Sequence, residues 1–260
     1  MLRQNKKVFE AANILKWYEN GYTGKNVNIA VLDDQYAPHS HTRVILPIAH
    51  HNPIIKGYEF HKPNSCSVVR EACPDANIYG FNWFGGARET TRWLIENREK
   101  IDIVNCSFSS PKNSREELWN VLEKLDIPFI CSSGNNGSSK FISYPSCLDW
   151  TISIGAYNLL KDEIPEYSNE GEGLEALGFT YIYIPNSVEN PFPFEGTSAA
   201  ASLVTGMLGL YIGWRKVSGK TRLTIEEAKQ FIVNNCSDTI IKNSDSKSAG
   251  VFILPDFDRL

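Results

Sequence analysis

The run Val27-Asn28-Ile29-Ala30-Val31-Leu32, closed by Asp33-Asp34, decides the architecture. It is too short for a helix and too continuously apolar for a strand with one wet face, so it reads as an interior strand of a parallel sheet. Residues 77–81, 101–106, 127–131 and 151–155 have the same β-branched, apolar character. Helical stretches are predicted between and around them. Residues 88–98 form one, and 114–124 another, opened by Ser114 with Glu117 three positions on as a capping box. Thr224 and Glu227 repeat that arrangement, and near the start Val8, Ala11, Ala12 and Leu15 share one helical face. Strand and helix in alternation predict an α/β fold of three layers, a mostly parallel central sheet with helices on both faces. In such sheets chemistry collects at the carboxyl ends of the strands.

Composition sets the outer bounds. No repeat and no low-complexity linker divides the 260 residues, so 1–260 reads as a single domain, expected to expose about 11,500 Å² when folded. Hydrophobic content of 42%, charged content of 22% and 13 scattered prolines exclude a disordered, collagenous or coiled-coil chain. With 26 basic against 30 acidic residues there is no cationic footprint, so nucleic acid is not an expected partner. No apolar run approaches the roughly 18 residues of a membrane span, so no membrane partner is expected. Met1-Leu2-Arg3-Gln4-Asn5-Lys6-Lys7 leads into no signal-peptide core. A cytoplasmic location is the expectation. Cys66, Cys73, Cys106, Cys131, Cys147 and Cys236 are widely spaced with no C-x-x-C, which favours buried free thiols over a disulfide framework.

The predicted strand ends are polar: Asp33 after the first, Asn105-Cys106-Ser107 at the third, and Ser132-Ser133-Gly134-Asn135-Asn136-Gly137 after the fourth. Taken singly, each has a plain reading as turn chemistry. A sharper signal is Glu195-Gly196-Thr197-Ser198-Ala199-Ala200-Ala201-Ser202, which runs into an apolar helix through Leu203, Val204, Met207, Leu208 and Leu210. A serine opening a buried helix can be an N-cap or a nucleophile placed at the positive helix end.

Gly196-Thr197-Ser198-Ala199-Ala200-Ala201 resembles the nucleophile motif of the subtilisin-like serine peptidases, the subtilases, and the strand ends resemble that family's other signatures in the same order. Val31-Leu32-Asp33-Asp34 is similar to the stretch holding the catalytic aspartate, and Val104-Asn105-Cys106-Ser107-Phe108-Ser109 to the segment lining the substrate cleft. Ser132 to Gly137 is similar to the Gly-Asn motif of the oxyanion hole. Gly21-Tyr22-Thr23-Gly24-Lys25, Ser153-Ile154-Gly155-Ala156 and Tyr167-Ser168-Asn169 fit the linking pieces, and the resemblance covers about residues 10–236.

In this family the histidine follows the aspartate and precedes the serine. The usual His-Gly-Thr is missing, and His39, His41, His50, His51 and His61 all lie in the allowed interval. Cys73-Pro74-Asp75-Ala76-Asn77-Ile78-Tyr79 resembles the stretch after the histidine-bearing helix, and the family's short spacing back from Pro74 selects His61. Gly57-Tyr58-Glu59-Phe60 then resembles the strand leading in, and Ser65, Cys66, Val68 and Val69 supply the inner face of the helix. The other four histidines read as a polar surface loop. Lys62-Pro63 stands where Gly-Thr is usual; Pro63 suits a first helical turn, and a cation at Lys62 would lower the imidazole pKa.

The resemblance implies a serine endopeptidase with an Asp33–His61–Ser198 triad and an acyl-enzyme intermediate, the side chain of Asn135 serving the oxyanion hole. A peptide or protein substrate would lie along Ser107, Phe108 and Ser109, with Ser132, Ser133 and Gly134 walling the primary specificity pocket. Asp34 is expected in solvent, residues 162–175 as a solvated surface loop, and Trp83-Phe84-Gly85-Gly86-Ala87 as a short connection. The chemistry requires no cofactor and no catalytic metal; many members bind structural calcium, for which no ligands are assigned in this sequence. Two other functions use the same residues differently. A pseudopeptidase would bind peptides without cutting them, the departure at Lys62-Pro63 being its support. A lipase-like hydrolase would need Gly-x-Ser-x-Gly, and Ala200 stands at the second glycine.

Overall fold

The structure, a computed structural model, describes residues 1–34, 44–47, 61–185, 191–238 and 249–260. Its centre is a seven-stranded sheet of β1 (Asn28–Asp33), β2 (Val44–Ile45), β3 (Asn77–Asn82), β4 (Ile103–Cys106), β5 (Phe129–Ser132), β6 (Ile152–Tyr157) and β7 (Ala176–Phe179). The spatial order is β2-β3-β1-β4-β5-β6-β7 and every pairing is parallel. The chain moves to one side of β1 for β2 and β3 and to the other for β4 onward. This reversal opens a crevice at the carboxyl ends of β1 and β4, and Asp33 ends β1 there. An antiparallel ribbon of β8 (Ile182–Ile184) and β9 (Phe192–Phe194) stands apart from the sheet.

Alternation along the strands sends side chains to two different cores. On one face Ile103, Ile130, Ile152 and Ile154 pack with α3 (His61–Ala72) and α6 (Thr197–Val217), joined by α1 (Lys6–Ala11), α2 (Ile14–Glu19) and α7 (Ile225–Asn234). On the other Val104, Cys106, Phe129 and Cys131 pack against α4 (Trp83–Glu96) and α5 (Glu116–Leu122) through Trp83, Phe108 and Trp119. The molecule exposes 11,966 Å², close to the expectation from its mass.

Several expectations need correction. Residues 83–87 are no loop: they form the first turns of α4, with the Asn82 side chain accepting from the Gly85 N–H, and a kink at Gly86 lies two residues before the expected helix start at 88. Ser114 caps nothing. Asn113 and Arg115 both take left-handed φ, so α5 starts later, while the Arg115 guanidinium reaches back to donate to the Phe84 carbonyl. The initial helix is broken at Asn13, whose left-handed backbone lets its side chain donate to the Leu254 carbonyl and Asp256. The box at Thr224 and Glu227 is present as predicted. Strand β7 was missed because Ala176-Leu177-Gly178-Phe179 carries little β propensity. A Cβ at Gly178 would meet the Ala200 carbonyl at 2.8 Å, so close packing of α6 selects glycine there.

Candidate active site

Asp33 is the last residue of β1 and is buried. Its carboxylate accepts from the Asp34 N–H (2.8 Å), the Ser65 hydroxyl (3.2 Å) and Nδ1 of His61, which lies 2.9 Å from both oxygens. That bidentate approach places the His61 proton on Nδ1 and leaves Nε2 as an acceptor in the neutral ring. Nε2 stands 3.1 Å from Ser198 Oγ. His61 opens α3, with Pro63 in the first turn where its missing N–H costs nothing. The His61 side chain keeps 22% of its surface exposed, and Phe194 packs edge-on against the ring with centroids 5.6 Å apart. Burial pulls the His61 pKa down, but the charge and hydrogen bond of Asp33 outweigh it and, with Asp34 adding, hold the pKa above the ordinary histidine value.

Ser198 lies in the first turn of α6, 7% exposed. Gly196 precedes the helix at φ +96, and a Cβ there would come within 3.2 Å of Asn135 Nδ2. Asn135 is reached from β5. Its Oδ1 accepts from the Thr197 N–H (3.0 Å) and the Thr197 hydroxyl (2.9 Å), and that hydroxyl in turn accepts from the Gly134 N–H (3.2 Å). An N–H can only donate, so this pattern fixes Oδ1 on the Thr197 side and leaves Nδ2 as the donor of this cleft-lining amide. The neutral donors on this side are Nδ2 of Asn135 and the N–H of Ser198 itself, since the first-turn N–H groups of Thr197, Ala199 and Ala200 are bonded to Asn135 Oδ1 and to the Gly196 carbonyl.

These residues meet in a cleft of about 450 Å³ lined by Asp33, Asp34, His61, Phe84, Ser107, Phe108, Ser109, Ser132, Asn135, Asn136, Thr197 and Ser198. Ser133 and Gly134, expected in a pocket wall, are buried beside Ser132, which does line the cleft. The backbone of Ser133 is taken up by Ile154 and Ser143. Asp34 is not in solvent: it is 6% exposed and borders the cleft. The loop 162–175 is not simply solvated. Asn169, fully buried, donates through Nδ2 to the Ser133 carbonyl and Ser143 Oγ, and its Oδ1 accepts from the N–H groups of Asn136 and Ser138. Asn169 thus holds the loop that carries Asn135 in shape, and Tyr167-Ser168-Asn169 is the one sequence signal for it. His39, His41, His50 and His51, the stretch 57–60 and the side chain of Lys62 lie outside the described residues.

Asp33, Asp34 and His61 are the only His, Cys, Asp or Glu group among the described residues compact enough to ligate a metal. Asp33 and His61 already serve each other at hydrogen-bond distance. All six cysteines are free; Cys66, Cys73, Cys106 and Cys131 are buried, Cys236 partly so, and Cys147 is exposed. Burial pushes the Cys106 thiol well above its usual range and that of Cys73 up to about 12. Among the described residues no helix is long and apolar enough to cross a membrane.

Comparison with known proteins gives a consistent placement. The minor extracellular protease Epr of Bacillus subtilis (strain 168) is 26% identical over 188 residues, covering 64% of this chain and 28% of its own length. Subtilisin E of the same organism is 25% identical, covering 79% and 61%. The chain therefore spans less than two thirds of either relative. Among solved structures, a lanthipeptide protease superposes with a TM-score of 0.74 at 16% identity, covering 97% of this chain and 94% of that one, a likeness of fold. The profile of the subtilase family matches residues 54–251, most of the chain and every part of the cleft except Asp33 and Asp34. The chain belongs to the subtilase family.

Proposed function

We propose that this protein is a serine endopeptidase in which Ser198 is the nucleophile, His61 the general base and acid, and Asp33 the group that orients the imidazole. The observation that carries the reading is the unbroken polar contact from the Asp33 carboxylate through His61 to Ser198 Oγ, at 2.9 and 3.1 Å, on the wall of an open cleft. A serine hydroxyl needs a base within this reach to become a nucleophile at neutral pH. The Ser198 hydroxyl has two acceptors in the resting site, the Ser107 carbonyl at 2.8 Å and His61 Nε2 at 3.1 Å, and only one proton to give. A peptide strand lying along Ser107–Ser109 would claim the Ser107 carbonyl with a backbone N–H and turn the hydroxyl toward His61.

The steps then follow. His61 Nε2 takes the proton as Ser198 Oγ bonds to the scissile carbonyl carbon, and the negative oxygen faces Asn135 Nδ2 and the amino end of α6. His61 gives its proton to the departing amine, leaving an acyl-enzyme that water, activated by the same ring, hydrolyses. Side chains of this chain supply every proton transfer, so the proposed chemistry calls on no cofactor, and its substrate is a peptide or protein. Treatment with a fluorophosphonate probe followed by peptide mapping tests the assignment: Ser198 is modified in the wild type and not in His61→Ala. Absence of label on folded wild-type protein would overturn the reading in favour of a peptide-binding pseudopeptidase.

A further inference from the structure

Helix α6 is almost wholly buried, and such a helix is expected to be apolar all round. One stripe of it is not. Ser198, Ser202 and Thr205 stand at i, i+4 and i+7 and share a face. Opposite them, Asn105 and Ser107 project from the same side of β4 and its extension, since the alternate residues Val104, Cys106 and Phe108 belong to the core on the far face. The two polar rows close on each other with no solvent between them: Asn105, Ser107, Ser202 and Thr205 are all fully buried.

Their polar groups form one connected seam. Thr205 Oγ1 donates to the Ala201 carbonyl (2.8 Å), which leaves its oxygen to accept from Asn105 Nδ2 (3.0 Å) and fixes the flip of that amide. Asn105 Oδ1 and the Ser198 carbonyl both lie 3.0 Å from the Ser107 hydroxyl, which also meets Ser202 Oγ at 3.0 Å. The seam ends on the nucleophile itself: the one proton of the Ser107 hydroxyl is shared between Asn105 Oδ1 and the Ser198 carbonyl, and the Ser107 carbonyl accepts from Ser198 Oγ. Apolar contacts tolerate sliding and rotation of a helix against a sheet, whereas buried hydrogen bonds are satisfied at one register only. A buried donor without its acceptor is costly, so the seam disfavours other registers.

We propose that Thr205, acting through Asn105 and Ser107, is a positioning residue for Ser198: the buried polar seam sets the rotation and height of α6 and so the approach of Ser198 Oγ to His61. This inference rests on the reading of Ser198 as nucleophile for its kinetic consequence but not for its structural one. Thr205 touches neither the cleft nor any group that exchanges a proton with substrate.

The test compares Thr205→Val, which keeps the shape and deletes the hydroxyl, with Thr205→Ser, which keeps the hydroxyl, on a fluorogenic peptide selected as a wild-type substrate. Displacing reacting groups by an ångström costs up to about 100-fold in rate. Thr205→Val is expected to lower kcat by about 10- to 100-fold with KM within about twofold, and Thr205→Ser to restore kcat. Thermal unfolding and circular dichroism report whether Thr205→Val is folded. Amide hydrogen exchange across 197–202 supplies the readout that needs no turnover, faster by about tenfold or more in Thr205→Val and restored in Thr205→Ser. Ser202→Ala, also clear of the cleft, is expected to move exchange in the same direction and serves if Thr205→Val does not fold. Unchanged kcat, equal loss in the Val and Ser variants, an effect on KM alone, or unaltered exchange in 197–202 overturns the proposal. If the wild type neither cleaves nor labels, the peptidase reading falls while the exchange experiment still decides the seam.

Discussion

The two sides of Ser198 are built from different materials. Toward β1 and α3 it faces a titratable pair, Asp33 and His61, with Asp34 close by. Toward β5 it faces Asn135 and Thr197, neutral groups held in a lattice of backbone amides. Moving a proton requires a group whose charge changes, and a carboxylate beside it makes the charged state accessible. Stabilising charge that develops on substrate requires dipoles already aimed and free of counter-ions. On the proposed assignment the charged side governs whether the nucleophile forms, and the neutral side how far the reaction runs downhill once it has.

Asp33→Asn is expected to break this division most severely. An Asn amide can present its N–H to Nδ1 and so favour the wrong tautomer, at a cost of about ten-thousandfold in kcat with KM little changed. Steady-state kinetics check it; a loss under tenfold would remove Asp33 from its role. The neutral side is worth less. Asn135→Ala is expected to lower kcat by about 100- to 1,000-fold while the rate of Ser198 labelling by a small fluorophosphonate falls in parallel, since both build charge on the oxyanion. Turnover surviving within a few-fold would mean that the backbone amides of α6 suffice.

The smallest effect is the most diagnostic for the charged side. As the proposed base His61 works only when neutral, and its pKa is held above 6.5. The acid limb of kcat/KM is therefore expected to have its midpoint above that value and to move to lower pH in Asp34→Asn, where one of the raising charges is removed. A limb at or below 6.5 in the wild type contradicts the structure's electrostatics. The linkage to stability has the matching sign. The Asp33–His61 pair contributes fully below the unfolded histidine pKa, and the contribution fades as pH rises through the higher folded value.

The local signals of the sequence were sufficient for the interior strands, because a strand buried on both faces must be apolar throughout and cannot be mistaken for a surface one. They were sufficient also for the box at Thr224, a device complete within four residues. They failed at Ser114 and at 83–87, where distant partners override local preference: Arg115 is drawn to the Phe84 carbonyl, and Asn82 captures the Gly85 N–H. Strand β7 went unseen since its glycine answers to α6 rather than to strand propensity.

By itself, then, the chain's residue order determined a parallel α/β sheet, polar strand ends and a serine at the head of a buried helix, all properties of neighbours along the backbone. Only the tertiary structure decided that His61 faces both Asp33 and Ser198, that Asp34 is buried at the cleft instead of solvated, that Ser133 and Gly134 are buried, and that Asn169 braces the loop carrying Asn135. The polar seam under Ser198 belongs to the same class, since its five side chains come from segments about 100 residues apart. Hydrogen bonds and charge interactions act over a few ångströms of space, and separation along the chain carries no record of which distant groups folding will bring within that range.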